Sequence, residues 1–116
     1  MKLKISDNVF SITEEINNYY KLNVSSSYAN KVMQNFYKIF KLIQTYPHIG
    51  RYVPEIKDKR FREKICCGYR IIYFISEEEN SINIRYILSN KQNSTQFIEV
   101  HKREIIDIIN FLNQII

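Results

Sequence analysis

The sequence predicts a single α+β domain in which two N-terminal helices precede a set of strands and a last helix. Apolar residues recur at helical spacing before Pro47, and they alternate as in strands after it. A helical stripe returns near the C-terminus. Glycines and prolines are strong signals for turns, and all of them fall in one stretch, at positions Pro47, Gly50, Pro54 and Gly68.

The length and composition fit one globular domain. The chain has 116 residues, of which 45% are apolar and 25% are charged. No apolar run approaches the ~18 residues of a transmembrane helix, so we expect no membrane association. The two cysteines, Cys66 and Cys67, are adjacent and poorly placed for an unstrained disulfide. A reduced, cytoplasmic protein is therefore expected.

The first elements predicted are a short strand and a helix. The alternation of Lys2–Ile5 indicates the strand. Ser6 or Asp7 would cap the helix, whereas Ser11–Glu14 has the Ser-x-x-Glu form of a capping box, so two start points are open. The apolar face of this helix is predicted to comprise Val9, Ile12, Ile16 and Tyr19.

A second helix is predicted to follow the polar segment Asn23–Ser27, which would end the first helix and cap the next. It closes before Pro47, because the residue preceding a proline avoids helical geometry. A short polar connection makes the two helices an antiparallel hairpin. The stripe of the second helix is Ala29, Val32, Phe36, Phe40 and Ile43, widened by Met33 and Ile39.

The segment from Arg60 to Cys67 alternates as a strand and is predicted to sort its charges by face. One face would carry Phe61, Glu63, Ile65 and Cys67, and the other would carry a row of cations, Arg60, Arg62 and Lys64. Cys66 and Cys67 would then point to opposite faces of the strand, and we interpret both as packing residues without a catalytic role.

Gly68 permits a tight turn or bulge before the next strand. Tyr69–Ile75 is almost wholly apolar, as expected for a central strand covered on both faces. Arg70 is its one charge, and an arginine there needs a partner or a cleft. A salt bridge to Glu63 or Glu55 is the alternative to a functional role.

The last part of the chain predicts a hairpin loop, a strand and a helix. The loop is Glu77–Ser81, and the strand alternates through Ile82, Ile84, Tyr86 and Leu88. After the polar break Ser89–Thr95, a helical stripe comprises Ile105, Ile108, Ile109, Leu112, Ile115 and Ile116, broadened by Ile106 and Phe111. A stripe this broad is expected to face the chain's own core, although it could pair with another copy.

Positive charge is concentrated at the turn from helices to strands. Residues 51–70 carry seven Lys and Arg against three acids, which is +4 of the chain's net +5. Such a patch favours an acidic partner, either nucleic acid or an acidic protein surface. Tyr52, Tyr69 and Tyr73 are the aromatic residues close enough to these cations to stack on a bound base.

The chain shows no pattern typical of a cofactor or metal enzyme. It has no glycine-rich phosphate loop and no metal-ligand spacing, so we expect no cofactor and no metal. His48 and His101 have no evident orienting partner, and neither is interpreted as a general base.

A series of short motifs resembles the RelE/ParE superfamily of type II toxin–antitoxin toxins. They are Pro47–Arg51, Pro54–Glu55, Arg62, Gly68–Tyr73 and Ser89–Lys91, and they follow a helical hairpin. The resemblance covers about residues 2–92. It implies a single toxin domain, which would occupy residues 1–116, with a small curved antiparallel sheet packed on the hairpin. The helical extension over about 97–116 departs from the minimal form of the superfamily. The resemblance also implies a cognate antitoxin, and the extension could occupy the groove that this antitoxin would use.

RelE-like members of this superfamily would imply a ribosome-dependent endoribonuclease that cuts mRNA. In that case the resemblance assigns Arg62, Arg70 and Lys91 to phosphate binding and charge stabilisation. Gln92, however, stands where a second C-terminal cation is expected, and no tyrosine follows Tyr86.

ParE-like members would imply a growth inhibitor that acts on DNA gyrase and stabilises plasmids, with no catalytic residues of its own. The Pro-x-x-Gly-Arg turn and the strand Tyr69–Tyr73 look more like this branch. We therefore expect a ParE-like toxin, with the mRNA nuclease as the alternative. Its binding surface would comprise Lys59, Arg60, Arg62, Lys64 and Arg70.

Overall fold

The computed structural model describes residues 1–114 and has the predicted α+β fold. Ile115 and Ile116, which the sequence places in the last helical stripe, lie outside the described residues. The elements are β1 (Lys2–Ile5), α1 (Asp7–Asn23), α2 (Ser26–Thr45), β2 (Arg51–Tyr52), β3 (Phe61–Cys66), β4 (Tyr69–Ser76), β5 (Ser81–Ser89), α3 (Ser94–Val100) and α4 (Lys102–Gln114). The sequence did not predict β2 or the break between α3 and α4.

The five strands form one mixed sheet in the order β1-β5-β4-β3-β2. The pairs from β2 to β5 are antiparallel, as the resemblance implies. β1 departs from this expectation because it pairs parallel to β5, with Lys2 opposite Ser81, and the sheet is therefore mixed. The sheet separates two layers of helices: α1 and α2 cover the hairpin face, and α3 and α4 cover the C-terminal face.

The helical hairpin forms largely as its apolar pattern predicts. α1 begins at Asp7 after Ser6, so the capping box at Ser11 is not used. Ser25 caps α2 by accepting a hydrogen bond from the Tyr28 N–H at 3.0 Å. All five predicted stripe residues of α2 are buried. In α1 the prediction for Tyr19 was wrong: its side chain is 56% exposed, and Tyr20 packs against the core.

The turn between β3 and β4 contains two residues, and both have positive φ. Cys67 has φ +54° and Gly68 has φ +80°. This is the type I′ geometry that matches the twist of a tight hairpin. Cys67 therefore leaves the strand, and the prediction that Cys66 and Cys67 point to opposite strand faces was wrong. Their sulfurs lie 3.7 Å apart.

An irregularity in β5 changes which residues share a face. Ile72 pairs with Tyr86 but Tyr73 pairs with Ile84, so Arg85 is an extra, bulged residue. Ile84 consequently packs on the hairpin face, whereas Tyr86 packs on the C-terminal face. The simple alternation predicted for this strand was wrong beyond Ile84.

The C-terminal helices cover the second face of the sheet. Ile105 and Leu112 of α4 are buried, while Ile106 and Phe111 are exposed. Ile105 packs in a cluster that includes Phe61 and Ile72. The apolar stripe thus covers the chain's own sheet. Polar contacts reinforce the packing: Glu104 accepts hydrogen bonds from the Tyr86 hydroxyl and, at 2.5 Å, from Arg85 Nη2.

The turn after the hairpin is fixed to the sheet by one buried tyrosine. The Tyr73 hydroxyl donates to the Pro47 carbonyl at 2.6 Å and accepts from the Gly50 N–H at 3.0 Å. A Cβ atom on Gly50 would lie 2.6 Å from the Glu63 carbonyl oxygen, so a side chain would not fit there. Pro47 and Gly50 therefore dock the turn onto β3 and β4.

We predict that Tyr73→Phe lowers the free energy of unfolding by about 2 kcal/mol, because it leaves the buried partners of the hydroxyl unpaired. The control is Tyr37→Phe, at a tyrosine that is 66% exposed on α2, where the change should stay within about 0.5 kcal/mol. Urea unfolding followed by circular dichroism measures both. Equal stabilities of the two variants would contradict the prediction.

Candidate functional site

Four charged residues between positions 51 and 70, a segment that we call the turn region, form a closed ion-pair network. They are Arg51, Glu55, Glu63 and Arg70. Arg70 Nη1 and Nη2 donate to the two carboxylate oxygens of Glu55 at 2.7 and 2.8 Å. Arg70 Nε donates to Glu63 Oε1 at 2.9 Å, and Nη2 donates to the same oxygen. Arg70 therefore satisfies two carboxylates at once, which is the geometry of a strong charge-assisted pair.

Glu63 is the buried centre of this network. It is 1% exposed, and its second oxygen, Oε2, accepts from Arg51 Nε at 2.6 Å. The Arg51 side chain itself is largely exposed to solvent. Both oxygens of the buried carboxylate are thus paired, and the four residues together carry no net charge.

The pairing favours the charged forms of Glu55 and Arg70. The hydrogen bonds from Arg70 lower the pKa of Glu55 to about 2, against the opposing effect of burial. The same pairing with Glu55 raises the pKa of Arg70. Arg70 is only 8% exposed, and it forms salt bridges with both Glu55 and Glu63. Of the two roles that the sequence left open for Arg70, the structure thus shows the salt bridge.

A cleft of about 360 Å³ opens beside the free side of β2 and β3, and we call it the edge cleft. It is lined by His48, Tyr52, Lys59, Arg60, Arg62, Ile75, Glu77 and Glu78. Arg62 Nη1 donates to the backbone carbonyls of His48 and Gly50 at 3.1 and 2.8 Å. The guanidinium carbon lies 4.5 Å from the ring centre of Tyr52. Arg62 is therefore held in place by the turn and by a cation–π contact.

Arg60 is neutralised by its neighbour. Its Nε and Nη2 donate to the two oxygens of Asp58 at 2.9 and 2.6 Å, and Nη2 also reaches Asn113 of α4 at 3.0 Å. The hydrogen bonds from Arg60 lower the pKa of Asp58. This pair links the start of β3 to α4.

The net charge of +4 in residues 51–70 is carried by Lys57, Lys59, Arg62 and Lys64. Within residues 1–114, none of these four side chains forms an ion pair. The predicted row of Arg60, Arg62 and Lys64 on one strand face was wrong in one respect. Arg60 precedes β3, and its side chain turns to Asp58 and α4 instead of extending the row.

The three residues assigned to RNA cleavage are not brought together. Arg62 shares the hairpin face with its pairing partner Tyr73, whereas Arg70 points to the C-terminal face with Ile72. Lys91 is exposed beyond the end of β5, where it lines a different cavity with Cys67 and Tyr69.

The tyrosines proposed for base stacking also differ in accessibility. Tyr73 is fully buried, and its hydroxyl is used by the turn. Tyr69 is partly buried and packs edge-on against Phe36, with ring centres 5.7 Å apart. Tyr52 is 50% exposed in the edge cleft, so its ring can meet a partner.

Sequence reasoning missed the acidic side of the edge cleft. Glu77 and Glu78 were assigned simply to a polar loop, yet they face the same cleft as Lys59 and Arg62. Antiparallel pairing explains this, because the Ile75 N–H donates to the Arg60 carbonyl and so brings the loop beside the start of β3. The cleft therefore presents both signs of charge.

The part of the chain that the structure describes shows two absences. No helix in it is long and apolar enough to cross a membrane. No three or more His, Cys, Asp and Glu side chains gather in it as a possible metal site.

Comparison with known proteins points to one toxin family. Residues 3–94 match the family model described as the ParE toxin of the type II toxin–antitoxin system parDE. A solved structure described as a chromosomal ParDE TA system from P. aeruginosa is similar, with a TM-score of 0.64 and 18% sequence identity. The match covers 77% of this chain and 95% of that chain, and it shows a common fold. No curated protein matches the sequence.

We predict that Glu63→Gln lowers the free energy of unfolding by about 3 kcal/mol, because it removes the charge that compensates buried Arg70. Glu79→Gln is the matched control, since Glu79 pairs with Lys4 at 3.6 Å on the surface. Its effect should be at most about 1 kcal/mol. Urea titration of both variants makes the comparison, and a mild effect of Glu63→Gln would refute the structural role of the network.

Stability should also depend on pH through Glu55. Its pKa is lowered from 4.5 to about 2 on folding, so its contribution is complete above pH 4.5 and is lost as the pH falls toward 2. Glu55→Gln should therefore flatten the loss of stability between about pH 5 and about pH 3. Glu99→Gln, at an exposed position of α3, is the control that should retain the wild-type profile. Identical profiles for all three proteins would contradict this assignment.

Proposed function

This chain belongs to the ParE toxin family of type II toxin–antitoxin systems, and from that premise we propose that it inhibits growth by binding DNA gyrase. The proposed toxin acts in the cytoplasm without catalysis of its own, and a cognate antitoxin neutralises it. The observation that carries the proposal is the family match over residues 3–94, which spans the helical hairpin and all of the sheet except Lys2.

The proposed binding surface is the edge cleft together with the neighbouring cations. Of the five residues expected from the sequence, Lys59, Arg62 and Lys64 would contact the partner directly. Arg60 and Arg70 would support this surface, because their guanidinium groups are occupied by Asp58, Glu55 and Glu63. Exposed Tyr52, stacked on Arg62, would add an aromatic contact of the kind that often dominates binding energy.

The charge pattern of the cleft favours a protein partner over a polyphosphate. Glu77 and Glu78 lie beside Lys59 and Arg62, and they would repel a nucleic acid backbone. A protein surface with both signs of charge can complement them.

The separation of Arg62, Arg70 and Lys91 also disfavours the RelE-like alternative, in which the chain would cut mRNA on the ribosome. Phosphoryl transfer needs its charged groups around one reacting phosphate. Arg70 meets that need poorly, because both of its neighbours are carboxylates.

Induced expression of the wild-type chain in a bacterial host tests the proposal. We expect growth arrest with induction of a DNA-damage reporter, and inhibition of DNA supercoiling by purified gyrase. Codon-specific cleavage of mRNA on purified ribosomes would establish the alternative instead. Absence of any effect on growth, gyrase or mRNA would overturn both.

We predict that Arg62→Ala weakens inhibition of gyrase at least about tenfold, equivalent to about 1.4 kcal/mol of binding energy. Because Arg62 also bonds the turn, the double variant Lys59→Glu/Lys64→Glu provides a second test at side chains without ion pairs in the described region. Arg103→Ala, at an arginine on the solvent side of α4, should leave inhibition unchanged. Full activity of both cleft variants would refute the proposed surface.

A further inference from the structure

The two cysteines form a close pair of thiols at the end of the β3–β4 hairpin. Adjacent residues in a regular strand point to opposite faces, which keeps their side chains apart. Here Cys67 has left-handed backbone geometry, and its sulfur lies 3.7 Å from that of Cys66. Cys67 is exposed and Cys66 is buried, so the pair extends from the surface into the edge of the core.

Cysteine is an unusual residue for the position that Cys67 occupies. Both central residues of a type I′ turn have positive φ, and asparagine, aspartate or glycine usually supplies the first. A residue with a larger side chain is strained there by about 1 kcal/mol. The exposed Cys67 side chain recovers little of this through packing. Cys67 thus departs from the residue preference of the turn and gains no packing in return, which indicates a function for its side chain.

The distance between the sulfurs fits one atom bound to both. Two sulfurs that are each about 2.3 Å from a shared atom lie at most about 4.6 Å apart, and the observed 3.7 Å falls within this reach. A disulfide would instead require the sulfurs at about 2.05 Å, which adjacent residues reach only with strain. In the reduced protein the Cys66 thiol donates a hydrogen bond to the Cys67 sulfur at 3.7 Å, and a shared atom could replace the proton without bringing the sulfurs to bonding distance.

The surroundings of Cys67 support a bound ligand. Asn35 Nδ2 donates to its sulfur at 3.6 Å. A cavity of about 460 Å³ opens beside it, lined in part by Tyr19, Tyr69 and Lys91. The aromatic walls of this cavity can hold an apolar substituent on the bound atom. Burial raises the pKa of Cys66 to about 12, so binding must displace its proton.

We propose that Cys66 and Cys67 form a dithiol site that binds one soft, thiophilic atom, either Cu(I) or trivalent arsenic. Soft thiolate ligands select such atoms, and two of them suffice for an arsenical that brings its own third group. With phenylarsine oxide, two As–S bonds replace the As=O bond, and the oxygen leaves as water with both thiol protons. With Cu(I), two Cu–S bonds form and two protons are released. Neither step changes an oxidation state.

Phenylarsine oxide and Cu(I) test this proposal on the whole, reduced protein. Mass spectrometry should show one phenylarsenic group per chain, bound in exchange for two protons. Competition with a Cu(I) chelator measures the copper affinity. Binding of the arsenical alone would define a metalloid site, and binding of Cu(I) would define a metal site. Failure of both would overturn the proposal.

Two variants separate chelation from binding by a single thiol. Cys67→Asn creates the Asn-Gly pair that a type I′ turn prefers, so its fold should be at least as stable as the wild type. Cys66→Ala retains the exposed thiol. Each should weaken binding at least about 100-fold, because the second bond is then no longer intramolecular. Retention of wild-type affinity by either variant would show that one thiol suffices and would overturn the site. These readouts are independent of toxicity.

Discussion

The buried pairing of Arg70 with Glu63 is the constraint around which the C-terminal face of the sheet is built. The pair joins β4 to β3, and Arg51 of β2 and Glu55 of the following loop extend it. Two charges are tolerated in this otherwise apolar layer because each carboxylate oxygen has a charged partner. Removal of one member would leave a buried charge unpaired, and the free energy of unfolding would fall accordingly.

The same network separates structural charge from charge available to a partner. The turn region carries a net +4, but its arginines 51, 60 and 70 are bound to carboxylates. The excess is left on the side chains around Arg62, beside an exposed tyrosine and two glutamates. A ParE-family chain can thus present a precise pattern of both charges without unpaired charge in its core, and our proposal of a protein target depends on that pattern.

Local patterns predicted the elements well and their long-range contacts poorly. The stripe of α2 was correct because helical periodicity depends only on neighbours in sequence. The bulge at Arg85 and the orientation of Arg60 were missed, because each depends on a partner on another element. The Arg70 pair was one of two open interpretations, and the sequence could not choose between them. The target of the toxin and the role of each surface cation stay predictions.

The parallel pairing of β1 with β5 has a consequence for the biosynthesis of the protein. Lys2 lies opposite Ser81, so β1, the first strand to be synthesised, can pair only after β5, the last strand of the sheet, has been synthesised. Four residues cannot form stable sheet structure alone. Contacts this distant in sequence also slow folding. A nascent chain therefore cannot complete its fold until β5 has emerged from the ribosome, and a chain interrupted before Ser81 would be unable to act as a toxin.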